Sequence, residues 1–350
     1  MSRPLYAIHG ENDLHYDGWV VLARGIGRDP NGHHGEDFTR LRQTPIVRLN
    51  VGYPPSIPAP QYHEQFAQRC ANFVAASRGC SRWIIGNEVN HSQERDNGHV
   101  NLPTDYARCY NYCRQAIHAI APDHEVLLGA VAPYNNQTAY KGNESGDWVR
   151  YFGDIQRNIS GCDGFAIHAY ARVQTPDSVT SSDKMGKPGE VFHQYHNGFR
   201  AYRDWMDAIV PNYRGLPVYI TETNAMGPWQ DVDTGFVVQL YQEVYAWNKA
   251  HPDRPISCVA LYRWQYDKWV IKDKPKVIAD FMRAVECNLT WPPITDPPPE
   301  PEPEPPQDDT RLALLEVQVA QVEARVTQLE ATLAGTLDRI EAAGRVLAGE

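Results

Sequence analysis

Short apolar runs alternate with longer amphipathic stretches through most of this chain. Apolar runs of this length, bounded by polar or glycine-containing segments, are typical of buried strands in a parallel sheet. The pattern predicts eight strands: Leu5–Gly10, Trp19–Gly25, Ile46–Asn50, Trp83–Asn87, Glu125–Val131, Gly164–Tyr170, Val218–Thr221 and Ser257–Trp264. A helical period with suitable end signals predicts helices over Gln61–Ser77, Thr104–Ala121, Gln194–Ile209, Thr234–Lys249 and Pro275–Val285.

Eight such units favour the α/β class and one closed (β/α)8 TIM barrel over two smaller domains. The weakest strand is Trp19–Gly25, which could instead be the first helix, and the first two helices are expected to be short. A doubly wound open sheet is the alternative. It is disfavoured because residues 9–12, His-Gly-Glu-Asn, offer one glycine where a dinucleotide-binding fold has Gly-x-Gly-x-x-Gly.

A segment rich in proline and glutamate divides the chain. We expect a globular barrel over residues 1–289, a linker over residues 290–310 and a coiled-coil helix over residues 311–350. The linker contains the run Pro-Pro-Pro-Glu-Pro-Glu-Pro-Glu-Pro-Pro, which cannot bury apolar surface and is expected to form an extended polyproline II spacer.

The residues beyond the linker contain neither proline nor aromatic side chains, and their apolar residues recur in heptads. The pattern predicts a homo-oligomer, and an Arg-h-x-x-h-Glu motif (h is hydrophobic) that resembles short trimeric coiled coils favours a trimer over a dimer. The alternative is a helix that packs back on the barrel. The first position of the heptad would be filled by Leu312, Val319, Val326, Leu333, Ile340 and Leu347.

Composition narrows the range of partners. The formal charge of −10 argues against a nucleic-acid partner, which requires clustered Lys and Arg. The chain shows neither a signal peptide nor a run of about 20 apolar residues long enough to span a membrane, so where the protein acts stays open. The seven cysteines form no Cys-x-x-Cys pair, which argues against metal binding and leaves one or two disulfides open. We expect neither a metal nor another cofactor.

Two strands end on a glutamate, Glu88 after Trp83–Asn87 and Glu222 after Val218–Thr221. The carboxyl ends of the strands of a parallel barrel meet at one face, where active sites form. Two carboxyl groups about 5–5.5 Å apart can cleave a glycosidic bond with retention, one donating a proton and the other attacking the anomeric carbon. The pair therefore predicts a hydrolase that uses two carboxyl groups.

Glutamates on the fourth and seventh strands, with Asn87 directly before the first, resemble clan A of the glycoside hydrolases, the retaining (β/α)8 enzymes. The resemblance covers residues 5–287. It implies that Glu88 is the general acid/base, that Glu222 is the nucleophile and that Asn87 contacts the sugar 2-hydroxyl. It also implies that Tyr170, or else His168, contacts the nucleophile and that Trp264 forms an aromatic floor beneath the sugar.

Arg48 is a charge within an otherwise apolar strand, so it requires a carboxylate partner. Glu222 is one candidate, and a structural ion pair elsewhere is the other. The clan usually places its arginine on the second strand, whereas Arg48 is on the third. Loop residues His9, Asn90 and Trp229 complete the set that we expect around the sugar.

The sequence therefore predicts a retaining glycoside hydrolase that cleaves β-linked poly- or oligosaccharides and is displayed on an oligomerising stalk. A non-catalytic, multivalent glycan-binding barrel is the alternative. It is disfavoured because a binding module does not need both Glu88 and Glu222. A metal-assisted barrel hydrolase is disfavoured because the strand ends lack a His-x-His or Asp/His cluster.

Overall fold

A computed structural model describes residues 3–291, and within them eight parallel strands close into a barrel. The first strand pairs with the eighth, so the sheet has no free edge. The prediction of an eight-stranded α/β barrel is confirmed. The barrel strands are β1 (Tyr6–His9), β2 (Trp19–Gly25), β3 (Thr44–Asn50), β4 (Arg82–Ile85), β5 (Glu125–Leu128), β6 (Phe165–His168), β7 (Val218–Thr223) and β8 (Ile256–Leu261).

Two layers of apolar side chains hold the barrel together. The inner layer fills the space enclosed by the strands, and Trp19 and Tyr219 meet there edge to face with ring centroids 5.7 Å apart. The outer layer packs the other faces of the strands against the helices. Strands buried on both faces explain why the apolar runs in the sequence are continuous rather than alternating.

Seven helices surround the barrel within residues 3–291. The loops 10–18 and 26–43, which lie within that described range, contain no helix, so the prediction of two short first helices was wrong. These loops are rich in Gly, Asp, Asn and Pro, which favour turns over helix. The helices are α1 (His63–Ala76), α2 (Pro103–Ile120), α3 (Trp148–Gln156), α4 (Pro176–Thr180), α5 (Ala201–Ala208), α6 (Phe236–Ala250) and α7 (Pro275–Glu286).

Helix α5 begins at Ala201, whereas the sequence predicted a start at Gln194. The backbone N–H of His196 donates to Asp204 at 2.7 Å, and the ring of His196 lies 2.8 Å from the same carboxylate. These contacts give the backbone and ring of His196 a hydrogen-bond partner that competes with a helical turn.

Near its ends, the described part of the chain forms a small antiparallel pair, Arg3–Pro4 with Thr290–Trp291. The linker prediction beyond residue 291 and the coiled-coil prediction for residues 311–350 lie outside the described residues. All seven cysteines lie within them and are free thiols, and six of the seven are buried. Within residues 3–291, no helix combines the length and apolar character needed to cross a bilayer.

Candidate active site

Both glutamates singled out in the sequence lie at the carboxyl-terminal end of the barrel. Glu222 is within β7, and its side chain is 9% exposed. Glu88 follows β4, and its side chain is 20% exposed. One carboxyl group is therefore nearly enclosed, whereas the other is open to a ligand entering the mouth of the barrel.

Glu222 is held by side chains from three other strands or strand ends. Arg48 Nη1 on β3 donates to Oε1 at 2.7 Å, and the Tyr170 hydroxyl, just beyond β6, donates to Oε2 at 3.1 Å. His168 Nε2 at the end of β6 lies 3.7 Å from Oε1, and His9 Nε2 at the end of β1 lies 3.9 Å from it. The carboxylate partner expected for Arg48 is thus Glu222.

The electrostatic surroundings keep Glu222 ionised. Burial alone would raise its pKa, but His168, Arg48 and His9 outweigh burial and lower the pKa to about 2. Burial and the nearby Arg48 lower the pKa of His9 to about 3, so its imidazole is neutral at neutral pH. Arg48 is therefore a permanent positive charge beside Glu222.

The loop after β4 places Glu88 through an unusual backbone conformation. Gly86 has φ of +72°, and Glu88 has φ of +41°, which is uncommon for a residue with a side chain. The Glu88 N–H donates to the Ala130 carbonyl at 2.7 Å, which ties this turn to the end of β5. Such conformations persist where surrounding contacts enforce them, and they concentrate at functional sites.

His168 connects the two glutamates. Its Nδ1 lies 2.8 Å from Glu88 Oε1, while its Nε2 faces Glu222. The imidazole is fully buried, and the indole of Trp205 fixes its strand by donating to the His168 carbonyl at 2.9 Å. One rigid ring therefore separates the two carboxyl groups and contacts the more exposed one directly.

Asn87 lies between Arg48 and a third carboxyl group. Arg48 Nη1 donates to Asn87 Oδ1 at 2.5 Å, and Asn87 Nδ2 donates to Glu94 Oε1 at 3.0 Å. Sequence reasoning missed Glu94 because it lies on a turn beyond the strand end, where a glutamate usually means solvated loop polarity. Its position six residues after Glu88 was the available signal.

The predicted aromatic residues pack below the mouth of the barrel. Trp264 and Trp229 are 4% and 2% exposed, and the Trp229 indole donates to the Tyr262 carbonyl at 2.6 Å. Tyr262, by contrast, is partly exposed, and its ring lies 5.0 Å from the His9 ring. Asn90 is buried, and its amide exchanges hydrogen bonds with the Ala132 backbone at 3.1 and 2.7 Å.

Several buried polar atoms of the site have no hydrogen-bond partner among the described residues. Buried polar groups are normally paired, so atoms of this kind gathered in one place indicate a site completed by water or a ligand. Across residues 3–291, no three His, Cys, Asp or Glu side chains come together as a metal-binding group. The unpartnered atoms of the site are His9 Nε2, Arg48 Nε, Asn50 Oδ1, Glu94 Oε2, His168 Nε2 and Thr223 Oγ1.

Comparison with known proteins gives no family model and no curated relative that matches this chain. Among solved structures, it is similar to a glucosidase from Croceicoccus marinus, with 11% identity over 70% of this chain and 50% of that one, at a TM-score of 0.45. An endo-β-1,3-glucanase of family GH128 from Sorangium cellulosum has 14% identity over 76% of this chain and 90% of that one, at 0.43.

A family 39 glycoside hydrolase from Bacteroides cellulosilyticus WH2 has 14% identity over 77% of this chain and 58% of that one, at a TM-score of 0.45. This chain thus spans about half the length of the Croceicoccus glucosidase and somewhat more of the family 39 enzyme. Structural similarity at these identities and TM-scores does not indicate the activity of this chain.

Proposed function

We propose that this chain is a retaining glycoside hydrolase that cleaves β-glycosidic bonds of a poly- or oligosaccharide by double displacement. The observation that carries the proposal is the pairing of an enclosed, ionised Glu222 with the more exposed Glu88 across His168 at the mouth of the barrel. Two carboxyl groups in different environments are what this reaction requires.

In the first step, Glu88 donates its proton to the glycosidic oxygen as the bond from that oxygen to the anomeric carbon breaks. A Glu222 carboxylate oxygen attacks the same carbon and forms a glycosyl-enzyme ester. In the second step, Glu88 removes a proton from water, which attacks the anomeric carbon and releases Glu222. Arg48 and Tyr170 hold Glu222 as the anion by hydrogen bonds at 2.7 and 3.1 Å.

The substrate-facing groups follow from the same geometry. The Asn87 amide has one N–H engaged by Glu94, which leaves the other free to donate to a sugar hydroxyl. Tyr262, beside His9, offers an aromatic surface at the site. The loops that carry these groups are supported by buried hydrogen bonds to the backbone, which are made by Trp264, Trp229 and Asn90.

Substitution of each glutamate tests the proposal. Glu222→Ala is expected to lower kcat by about 10⁴-fold or more, because no other group replaces the nucleophile. Glu88→Ala is expected to slow natural glycosides far more than aryl glycosides whose leaving groups need no proton. Equal loss on both substrate types would contradict the role of Glu88. Glycan binding without turnover by the unaltered protein would favour the alternative of a multivalent binding barrel.

We also propose that residues 311–350 form a coiled coil, a trimer in preference to a dimer, joined to the barrel by residues 290–310. The heptads and the proline-rich spacer support this proposal. Light scattering of the full chain against residues 1–291 tests it, because only the full chain is expected to form a multimer. Equal protomer counts would refute it. The truncation keeps Trp291, which pairs with Arg3.

A further inference from the structure

Glu94 is a third carboxyl group of the site. It was not predicted from the sequence, and it has no part in the double-displacement mechanism. It lies on the turn Ser92–Glu94 after β4 and is 4% exposed. Its Oε1 accepts the hydrogen bond from Asn87 Nδ2 at 3.0 Å, and its Oε2 has no partner among the described residues. A buried carboxylate with an unpartnered oxygen is costly, whereas a neutral carboxylic acid is much less so.

The charges around Glu94 favour the neutral acid. Burial raises its pKa to about 7, the Asn87 hydrogen bond and Arg48 oppose the rise, and Glu88 and Glu222 add to it. Arg48 cannot neutralise Glu94 fully, because its Nη1 already donates to Glu222 at 2.7 Å and to Asn87 at 2.5 Å. Partial desolvation raises the pKa of the phenol of Tyr53, on the loop after β3. Tyr53 is also near enough to Glu94, Glu88 and Glu222 for their charges to raise this pKa, although the residue is 80% exposed.

Asn87 is the link between Glu94 and the reaction centre. Arg48 binds the amide oxygen of Asn87, and Glu94 binds the amide nitrogen, so the two ends of the amide are fixed in one orientation. That orientation aims the remaining N–H and holds Arg48 against Glu222. An acceptor at Glu94 is needed for both effects, but a negative charge there is not.

We propose that Glu94 is a positioning residue of the active site that works as a neutral carboxylic acid and acts through Asn87 on Arg48 and Glu222. This inference rests on the proposed glycosidase function. When Glu94 ionises, its charge competes with Glu222 for Arg48, whose buried Nε has no partner among the described residues. The reaction is therefore expected to slow as the pH rises through the range in which Glu94 loses its proton.

The first test reads protonation and needs no activity. Infrared difference spectra of the full chain between about pH 6 and pH 8 should show loss of a protonated-carboxyl band. Glu94→Gln should remove that band. Asp96→Asn should keep it, because Asp96 is also buried but pairs with Arg28 at 3.1 Å, outside the Asn87 chain of contacts. A spectrum unchanged by Glu94→Gln would overturn the neutral-acid assignment, whatever the catalytic result.

The second test uses kcat/KM on an activated aryl glycoside from about pH 5 to pH 9, because such a substrate needs no proton from Glu88. Glu94→Gln should keep activity within about 3-fold at pH 6 and abolish the decline near neutrality. Glu94→Leu should lower kcat about 10-fold with KM little changed, as expected for one lost hydrogen bond that matters in the transition state. A full-strength decline in Glu94→Gln would overturn the inference.

A double-mutant cycle separates positioning from a local folding effect. If Glu94 acts through Asn87, Glu94→Leu should have less than about a 2-fold effect on kcat when Asn87 is already alanine. Additive losses would mean that Glu94 acts by another route. If the unaltered protein cleaves no glycoside at all, the proposed function fails, while the infrared result still decides whether Glu94 is the neutral acid.

Discussion

The two ends of the barrel each carry an arginine, a glutamate and a tyrosine in direct contact. At the carboxyl-terminal end these are Arg48, Glu222 and Tyr170, with the ion pair at 2.7 Å. At the amino-terminal end, Arg82 on β4 pairs with Glu125 on β5 at 2.9 Å, and the Tyr219 hydroxyl donates to Glu125 at 3.0 Å. The same three side-chain types therefore occur at both ends.

The two sets differ in what surrounds them. At the amino-terminal end, the Arg82–Glu125 pair joins neighbouring strands in register, and none of its side-chain atoms is among the unpartnered buried atoms of the described chain. At the carboxyl-terminal end, Arg48 and Glu222 are on β3 and β7, and unpartnered atoms of His9, Arg48 and His168 lie beside them. The hydrogen-bonding capacity of those buried atoms is not met within the described residues.

A buried ion pair is therefore not evidence of function by itself. When all its hydrogen-bonding atoms are paired, an ion pair fixes strand register and orientation. When unpaired donors and acceptors surround an ion pair, the folded chain itself does not complete their hydrogen bonds, so water or a ligand is expected to do so. Substitutions at matching positions can separate these two roles.

The largest expected effect follows from Arg48→Met. Removing the guanidinium leaves Glu222 without its permanent cation, so the pKa of Glu222 rises, and Asn87 loses the donor to its amide oxygen. We expect kcat/KM to fall about 10²–10³-fold at neutral pH, comparable to loss of a preorganised charge-stabilising donor. Steady-state kinetics on an aryl glycoside, with circular dichroism as the check on folding, measure this. A change below about 5-fold would contradict the proposed role of Arg48.

Arg82→Met is the matched substitution at the opposite end. It leaves the partly buried Glu125 without its cation, and we expect the free energy of unfolding to fall by about 2 kcal/mol. The folded enzyme should keep kcat/KM within about 2-fold, because the affected contacts are at the other end of the strands. Urea unfolding and kinetics on the same preparation test both expectations. Loss of activity as large as that of Arg48→Met would remove the distinction between the two ends.

Glu94→Gln should change how stability depends on pH. The pKa of Glu94 is raised from 4.5 to about 7 in the folded state, so the folded protein holds this proton when the unfolded chain has released it. Stability is therefore lost as the pH rises from about 4.5 through 7, by about 3 kcal/mol. Glutamine at position 94 should remove this loss. Urea unfolding at about pH 5 and pH 8 should show a gain for the variant only at the higher pH.

Glu125→Gln is the control for that experiment. It removes the anionic partner of Arg82, so we expect it to destabilise the protein at both pH values. If Glu94→Gln behaved in the same way, Glu94 would be an ordinary ion-pair partner rather than a buried neutral acid.

The sequence was sufficient to predict the barrel strands and the residues at the strand ends. Strands buried on both faces leave continuous apolar runs, and a glutamate or histidine that ends such a run stands out, as with Glu88, Glu222 and His168. The missing helices after β1 and β2 were harder to foresee, because connections without a helix leave no periodic signal. The residues before Ala201 have a helix-like pattern but do not form a helix, because the Asp204 carboxylate accepts a hydrogen bond from the His196 backbone N–H.

Contacts between distant loops could not be predicted from the sequence. Glu94 belongs to the site because Asn87 and Arg48 come from two different strand ends, and nothing near position 94 encodes that meeting. Tyr262 and Trp264 are two residues apart, and only the packing of the chain decides that Trp264 is enclosed while Tyr262 faces the site. Residue type and spacing predict candidates, but burial decides which of them a ligand can reach.

The smallest expected effects compare two buried tyrosine hydroxyl groups that make the same kind of bond. Burial and Glu222 raise the pKa of Tyr170 well above its ordinary value, so Tyr170 remains a donor to Glu222 at working pH. Tyr170→Phe should lower kcat/KM about 10-fold, because one hydrogen bond to the nucleophile is lost. Tyr219→Phe should instead lower the free energy of unfolding by about 1 kcal/mol and leave kcat/KM unchanged. Parallel kinetics and urea unfolding of both variants measure the contrast, and an exchange of the two outcomes would mean that the end with unpartnered atoms is not where the chemistry occurs.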